Sequence, residues 1–288
     1  MLTKVRVHSD DPIDLPIIGA TPKDSLLVRQ ITGIEPPDIN LFVGDYSRDG
    51  GIYTGRRVGT RNIVMTIQLN PNPADGETVS QIRSRLHKSF INPQPEAEYL
   101  KLSFHLDDER VLYAVGYVEK FESDIFSQET LVQISLICPD PYFRDDIPTT
   151  LTSLSGWTTV PFDYEGTAQV GFGATIHVNT ATSRLILANN TVTDNVSDPN
   201  YPRGRMILNK SFAPGDMIFI NTQSGDRSIY HLPAGGGVSG SAISALDPRS
   251  QWLSLHSSSN SMKVYGATPL EQVATIRQLS FVQAYWGL

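Results

Sequence analysis

The sequence predicts a mainly β protein with one notable helix, organised as an α+β domain followed by a β-sandwich. Many short segments alternate apolar and polar residues, which is the period of a half-buried strand. Helical spacing is convincing in one segment, Val79–Phe90. After Phe143 the helix signal stops, and short strand-like segments recur with turn residues between them. We therefore expect two domains, 1–144 and 145–288.

Strands are predicted in the first half wherever apolar residues occupy every second position. These segments are Ile63–Leu69, Val111–Tyr117 and Thr130–Ile137. Between the first two, apolar residues recur at helical spacing from Val79 to Phe90. Asp75 is a suitable cap for this helix, and Asn92-Pro93 ends it because proline disfavours helix in the preceding residue.

The second half predicts a β-sandwich because short strands follow one another at spacings of roughly 8 to 12 residues. Ser224–Asp226 is typical of a hairpin turn. We expect the last strand near 275–288. The other predicted strands are Ala174–Val178, Arg184–Leu187, Arg205–Leu208, Met217–Asn221, Ser228–Leu232, Gln251–Leu255 and Lys263–Tyr265.

Charge and cysteine usage restrict the function. The chain has 23 basic and 30 acidic residues, a formal net charge of −7. Since phosphate neutralisation supplies most of the affinity for nucleic acid, this balance disfavours a nucleic-acid-binding protein. Cys138 is the one cysteine, so no internal disulfide is expected. The sequence has neither a membrane-spanning apolar run nor a signal-peptide core, and we expect folding in a cytoplasm without membrane insertion.

The motifs of common catalytic sites are missing from the sequence. We find no nucleophile elbow, no phosphate loop and no dinucleotide fingerprint. None of the six histidines pairs with another at metal-ligand spacing. Asp107–Glu109 and Asp194–Asn200 offer oxygen atoms for calcium, but an ordinary turn is the favoured interpretation of both. We predict that the protein is not an enzyme, holds no metal and needs no cofactor.

Trp252 raises the question of sugar binding, because sugars stack on flat aromatic faces. In the predicted strand Gln251–Leu255, Leu253 and Leu255 form the better core face. This alternation leaves Trp252 free to be exposed or to contact a partner. Packing in a core or an interface remains the favoured interpretation over sugar stacking.

Four segments of the first half follow one another in an order and spacing that carry a family resemblance. They are the glycine-, arginine- and tyrosine-rich turn Gly51–Thr66, the helix Val79–Phe90, the strand Leu112–Glu122 and the segment Gln133–Arg144. Together they resemble the N-terminal, tail-tube-like β-sandwich domain of siphophage distal tail proteins. In the second half, Gly215–Thr222, Ser224–Arg227, Trp252–Leu255 and Phe281–Leu288 resemble that family's galectin-like β-sandwich.

The resemblance implies a structural virion protein, assembled in the host cytoplasm. Family members form a homo-hexameric ring that joins the tail tube protein to the tail hub or tip protein and, in some phages, carries receptor-binding proteins. DNA passes through the lumen of such a ring. We hypothesise that acidic residues of the first domain line this channel.

The candidate ring contact is the stretch Tyr53–Arg61. Subunits of a closed ring meet through two different, matching faces, and a projecting hairpin suits such a contact. Glycines permit a bend here, and Arg56, Arg57 and Arg61 are able to pair with a neighbour's carboxylates. An ordinary surface hairpin is the alternative.

Three other functions compete with the ring subunit. A tail tube subunit shares the N-terminal architecture, but it usually lacks the large second domain. A carbohydrate-binding adhesion module of the tail tip is compatible with the β-sandwich and with Trp252. A glycan-cleaving enzyme is the least favoured, because no catalytic constellation is recognisable.

Overall fold

The structure is a computed structural model that describes residues 1–17, 24–45, 51–72, 76–91, 99–123, 130–152, 159–189 and 204–288. The chain divides into two compact units. The first unit contains residues 1–146 and 285–288, and the second contains residues 147–284. The second unit is therefore an insertion in the first. The sequence placed all of 145–288 in the second domain, whereas the last four residues return to the first unit. In the described ranges, no helix has the length and apolarity that crossing a membrane requires.

The first unit is built around antiparallel strands and one helix. In chain order its elements are β1 (Leu2–His8), β2 (Ile13–Pro16), β3 (Leu26–Thr32), β4 (Ile39–Asp45), β5 (Gly51–Val58), β6 (Arg61–Leu69), α1 (Val79–Ile91), β7 (Leu100–Leu106), β8 (Val111–Ser123), β9 (Leu131–Cys138) and β10 (Phe143–Asp145). Seven strands pair in the order β2-β1-β7-β8-β9-β6-β3. β10 lies off this path and pairs with β8 and with β21 (Ala284–Tyr285). β4 and β5 pair separately, with each other.

β8 changes partner along its length. Its first half pairs with β7, where Gly116 lies opposite Leu100, and its second half pairs with β9, where Tyr117 lies opposite Ile137. Gly116 marks the change, and a Cβ there would be 2.8 Å from the Sγ of Cys138. The missing side chain lets the two backbones approach closely. Burial raises the pKa of the Cys138 thiol to about 11, which keeps it protonated and unreactive.

The core of the first unit follows the predicted alternation. Ile63, Met65 and Ile67 are buried on β6, and the buried side of the helix, Ile82, Leu86 and Phe90, joins the same cluster. The helix begins with a capping box, in which the Gln81 N–H donates to Thr78 Oγ1 and the Thr78 N–H donates to Gln81 Oε1. Thr78 is thus the observed cap. The predicted boundary residues Asp75, Asn92 and Pro93 lie outside the described residues.

The second unit contains two antiparallel sheets, which agrees with the predicted β-sandwich. Its strands are β11 (Thr149–Thr152), β12 (Thr159–Tyr164), β13 (Gly173–Val178), β14 (Leu185–Asn189), β15 (Arg205–Leu208), β16 (Met217–Asn221), β17 (Ser228–Leu232), β18 (Gly240–Ser241), β19 (Ser258–Tyr265) and β20 (Ala274–Phe281). The six-stranded sheet has the order β11-β20-β13-β16-β17-β18, and the four-stranded sheet has the order β12-β19-β14-β15. The buried apolar residues of both sheets supply the interior of the unit.

One predicted strand of the second unit is wrong. Gln251–Leu255 is irregular, and Leu255 makes an isolated bridge to Val170. The predicted faces are nevertheless correct, because Leu253 and Leu255 are buried while Trp252 is half-buried. Period-two alternation of burial therefore does not require a continuous ladder of hydrogen bonds.

We expect Gly116→Ala to lower the free energy of unfolding by about 1–3 kcal/mol, because the added methyl group collides with Cys138 and with the carbonyl of Ile137. Urea denaturation measures the change. Gly59→Ala is the control, since its Cβ would meet the Asp38 carbonyl at an ordinary 3.6 Å. Equal losses in the two variants would contradict the close approach.

Candidate assembly interface

β4 and β5 form a hairpin whose side chains are left uncovered by the rest of the described chain. We call this hairpin, residues 39–45 and 51–58, the arm. Every residue of β4 except Gly44 is exposed, and the largest apolar exposures are 63% at Leu41 and 61% at Val43. An isolated two-stranded hairpin is marginal in water, and exposed apolar patches of this kind mark contact sites. The arm therefore has the properties of a segment that packs against a partner.

One face of the arm is largely apolar. Leu41 lies opposite Arg56, Val43 lies opposite Tyr53, and Ile39 extends the same face. Tyr53 is 58% exposed. Arg56 adds a positive group to this apolar stripe, and Asp45 continues the same face at the end of β4. Such a mixture suits a specific contact with a partner surface that is apolar and carries carboxylates.

Three of the four residues predicted for the ring contact lie on the arm. Tyr53, Arg56 and Arg57 are exposed on β5, and Arg57 lies opposite Asn40 on the other face. Within the described residues, neither arginine forms an ion pair. Both guanidinium groups are available to a partner. The strand β4, which supplies most of the exposed apolar surface, was missing from the sequence prediction, although Ile39, Leu41 and Val43 alternate with period two.

Arg61 corrects the sequence prediction. It was expected to pair with a neighbouring subunit, but it is 2% exposed and its guanidinium donates four hydrogen bonds inside its own unit. Nε donates to the carbonyl of Pro141 at 2.7 Å, and Nη1 donates to the carbonyl of Glu35 at 2.7 Å. The other two acceptors are the carbonyls of Gly33 and Trp286. The charged plane also lies 4.2 Å from the centroid of the Phe143 ring.

The acceptors of Arg61 form the root of the arm. Gly33 has a φ of +80°, and a Cβ there would be 1.9 Å from the carbonyl oxygen of Asn62. This conformation turns the backbone that leads into β4 towards Arg61, which begins β6 directly after the arm. The C-terminus closes the root, because the Leu288 N–H donates to the carbonyl of Ile34. The arm thus projects from a rigid base.

We expect Arg61→Ala to lower the free energy of unfolding by about 3–5 kcal/mol, because the four hydrogen bonds from a buried guanidinium to backbone carbonyls are lost. Burial lowers the pKa of Arg61, yet a guanidinium stays charged in proteins. The hydrogen bonds of Arg61 are therefore removed by the substitution and not by a change of pH. Denaturant unfolding provides the measurement. Arg57→Ala, an exposed position, is the matched control with a change within about 0.5 kcal/mol. A similar small change for Arg61→Ala would show that the root does not depend on it.

The second unit contains a buried cluster of ionisable residues. His231 on β17 donates from Nε2 to Asp216 Oδ2 at 2.8 Å, and its Nδ1 lies 3.0 Å from the Nζ of Lys210. Because an ammonium group is only a donor, Nδ1 accepts the hydrogen bond from Lys210. Asp216 also accepts from the backbone N–H groups of Ala213 and Ala234. Its oxygens are therefore occupied, and the cluster fastens two turns together rather than activating a nucleophile.

Stability of the second unit should fall in acid. Burial alone would raise the pKa of Asp216, but the N–H groups of Ala234 and Ala213 and the His231 ring outweigh it and hold the pKa below the usual 3.8. A carboxylate with a lowered folded-state pKa stabilises the fold above its unfolded pKa, and this stabilisation is lost as pH falls through the folded pKa. We expect a loss on the order of 1–3 kcal/mol below about pH 4. Urea denaturation across pH 3 to 7 measures it, and Asp216→Asn should flatten the profile. An unchanged profile would refute the role.

Trp252 is not an open platform. It is half-buried, and the guanidinium of Arg227 lies 5.6 Å from its ring centroid. Its role as a partner or sugar contact remains a prediction. Of the two loops considered for calcium, Asp107–Glu109 is a turn, and Asp194–Asn200 lies outside the described residues. Across the described ranges, no group of three or more acidic, histidine or cysteine residues is arranged to hold a metal ion.

Comparison with known proteins shows the fold. No family model matches the chain, and no curated protein sequence matches it. Among solved structures, the chain is similar to the Dit protein (gp 19.1) of SPP1, described as a paradigm of the hub adsorption apparatus in phages that infect Gram-positive bacteria. The TM-score is 0.58 at 16% identity, over 96% of this chain and 98% of that chain. A chain of the phage P2 baseplate, in its activated conformation with Ca, gives a TM-score of 0.41 at 8% identity, over 93% of this chain and 99% of that chain.

The chain therefore has the fold of the SPP1 Dit protein along almost its entire length. This likeness confirms the predicted fold class, mainly β with one helix, and the resemblance that the sequence carries at the level of the fold. The low identity means that the likeness concerns the arrangement of elements and not individual residues. The exposed arm and its buried root are features of this chain's own residues.

Proposed function

We propose that this chain is a structural ring subunit of the distal tail of a long-tailed bacteriophage, with the arm as a contact between neighbouring subunits. The observation that carries the proposal is the exposed apolar face of the arm, projecting from a base fixed by Arg61. The likeness to the SPP1 Dit fold over nearly the whole chain supports it. The ring joins the tail tube to the hub or tip of the tail.

A contact between two different surfaces of the same subunit favours a ring. The arm is one surface of the subunit, and its partner surface on the next copy is a different one, so the contact is heterologous. Repetition of a heterologous contact gives a closed ring when the rotation between neighbours divides a full turn. Six copies are the number that the family resemblance implies. Arg56 and Arg57 supply charges that orient the neighbour, since pairing with carboxylates adds direction to an apolar contact.

The partners of the ring follow from its place in the tail. The tail tube protein lies on one side and the hub or tip protein on the other, while DNA passes through the lumen without being held. The net charge of −7 supports a lumen that does not adhere to DNA, with acidic residues of the first unit as its lining. The second unit is available to carry receptor-binding proteins. The second unit also distinguishes this chain from a tail tube subunit, which usually lacks such a large second domain. Electron microscopy of the purified protein tests this distinction, because it tells discrete rings from tubes.

We expect Leu41→Asp and Tyr53→Asp to abolish ring formation, because each places a carboxylate on the apolar face that meets the neighbour. Native mass spectrometry should show a six-fold mass for the unchanged protein and a monomer for both variants. Val238→Asp, at a position that is 94% exposed in the second unit, is the control and should retain the six-fold mass. Circular dichroism confirms that each variant is folded. Rings that persist in both arm variants would exclude the arm as the contact.

A further inference from the structure

The six-stranded sheet of the second unit has a surface that faces away from the buried interior of that unit. Its side chains are those opposite the buried residues Ala174, Ile176, Ile218, Ile220 and Ile229. We call this surface the outer face. One row of directly paired residues crosses all six strands on it: Ser241, Tyr230, Phe219, Thr175, Gln278 and Thr152. We propose that the outer face binds a neutral saccharide, with Phe219 and Tyr230 as the stacking platform.

The two aromatic rings are adjacent and open. Phe219 is 37% exposed and Tyr230 is 48% exposed, and the two residues lie directly opposite each other on β16 and β17. Neighbouring strands are about 4.8 Å apart, so the two rings together extend over roughly the length of one or two pyranose units. Within the described residues, neither ring packs against another aromatic ring. Exposing two large rings costs solvation free energy, which a flat, apolar partner surface recovers.

The groups around the platform suit the hydroxyls of a sugar. Thr175 and Gln278 continue the row next to Phe219, and Ser241 ends it beyond Tyr230. Ligand sites combine an apolar surface with a few polar groups that fix orientation, and hydroxyl and amide groups both donate and accept. On the neighbouring row, the Nδ1 of His177 pairs with the Oδ1 of Asn179 at 3.0 Å. Because an amide oxygen only accepts, Nδ1 is the donor in this pair.

The near absence of charged side chains on the outer face indicates the class of ligand. Along the described strands of the outer face, Arg277, at a β-bulge, is the one Asp, Glu, Lys or Arg side chain that points outwards. The chain as a whole has 53 such residues, so a face nearly free of them is unusual for this protein. Nucleic acid and acidic lipid surfaces require clustered positive charge. A neutral sugar requires none, because its C–H face stacks on an aromatic ring and its hydroxyls bond to uncharged groups.

The outer face is a better platform than Trp252. The Trp252 ring is half-buried and has the Arg227 guanidinium beside it, whereas Phe219 and Tyr230 share one strand pairing and face outwards together. The inference does not depend on ring formation, although six copies in one ring would multiply a weak single-site affinity. A saccharide of the host surface would then contact the tail directly through this chain.

The test uses the whole protein and neutral oligosaccharides of glucose, galactose and N-acetylglucosamine, on an array and then by titration calorimetry. We expect dissociation constants on the order of 0.1–1 mM for the best sugar. Tyr230→Leu and Phe219→Leu keep apolar bulk but remove the ring face, and each should weaken binding by about tenfold or more. Tyr230→Phe keeps the ring and should stay within about threefold. Gln278→Ala, which removes an exposed amide and leaves both rings, should weaken binding by about fivefold.

The controls separate the outer face from other sites. Trp252→Ala and Val238→Ala should bind as the unchanged protein does, and thermal melting verifies that every variant is folded. Absence of binding to all of these sugars overturns the proposal. Retention of binding in both leucine variants also overturns it, as does loss in Trp252→Ala alone. If these variants instead lose capture of another tail protein while no sugar binds, the face is a protein contact and the saccharide is excluded. Ring formation, measured by mass, is unaffected by these outcomes.

Discussion

The guanidinium of Arg61 donates hydrogen bonds to carbonyls in three separate segments of the chain, at Gly33 and Glu35, at Pro141 and at Trp286. A buried charge is tolerated when hydrogen bonds replace its lost hydration, and four carbonyl dipoles do so here. The same side chain fastens the segment between β3 and β4 that leads into the arm, the segment between β9 and β10, and the returning C-terminal residues. One side chain at the start of β6 therefore links segments of the first unit that are far apart in the sequence.

The hydrogen bonds of Arg61 at the root bear on the direction of the arm. An arm with exposed apolar side chains contributes to a specific contact only if its direction is fixed before the partner arrives, because ordering a loose segment costs conformational entropy. Arg61 and the glycine at position 33 supply that rigidity from the base, while Tyr53, Arg56 and Arg57 remain exposed beyond it. The burial of Arg61 and the exposure of the arm are two parts of one arrangement.

The two units offer surfaces of different chemistry. The arm combines apolar side chains with arginines, which suits a protein partner that supplies carboxylates. The outer face of the six-stranded sheet combines two aromatic rings with hydroxyl and amide groups and almost no charge, which suits a neutral ligand. The buried pair of Asp216 and His231 belongs to neither surface and serves to hold turns of the second unit. A structural subunit and an adhesive surface are thus compatible within one chain.

The sequence by itself determined the strands and the helix in which buried apolar residues recur at a regular spacing. Alternation placed Ile63–Leu69 in a strand, helical spacing placed Ile82, Leu86 and Phe90 on one buried side, and turn residues delimited the strands of the second unit. Only the tertiary structure decided the fate of groups whose partners are distant in the chain. Arg61 looked like its neighbours Arg56 and Arg57, yet it is buried because carbonyls up to 225 positions away converge on it. Phe219 and Tyr230 became one platform because strand register, set by the whole sheet, placed them opposite each other.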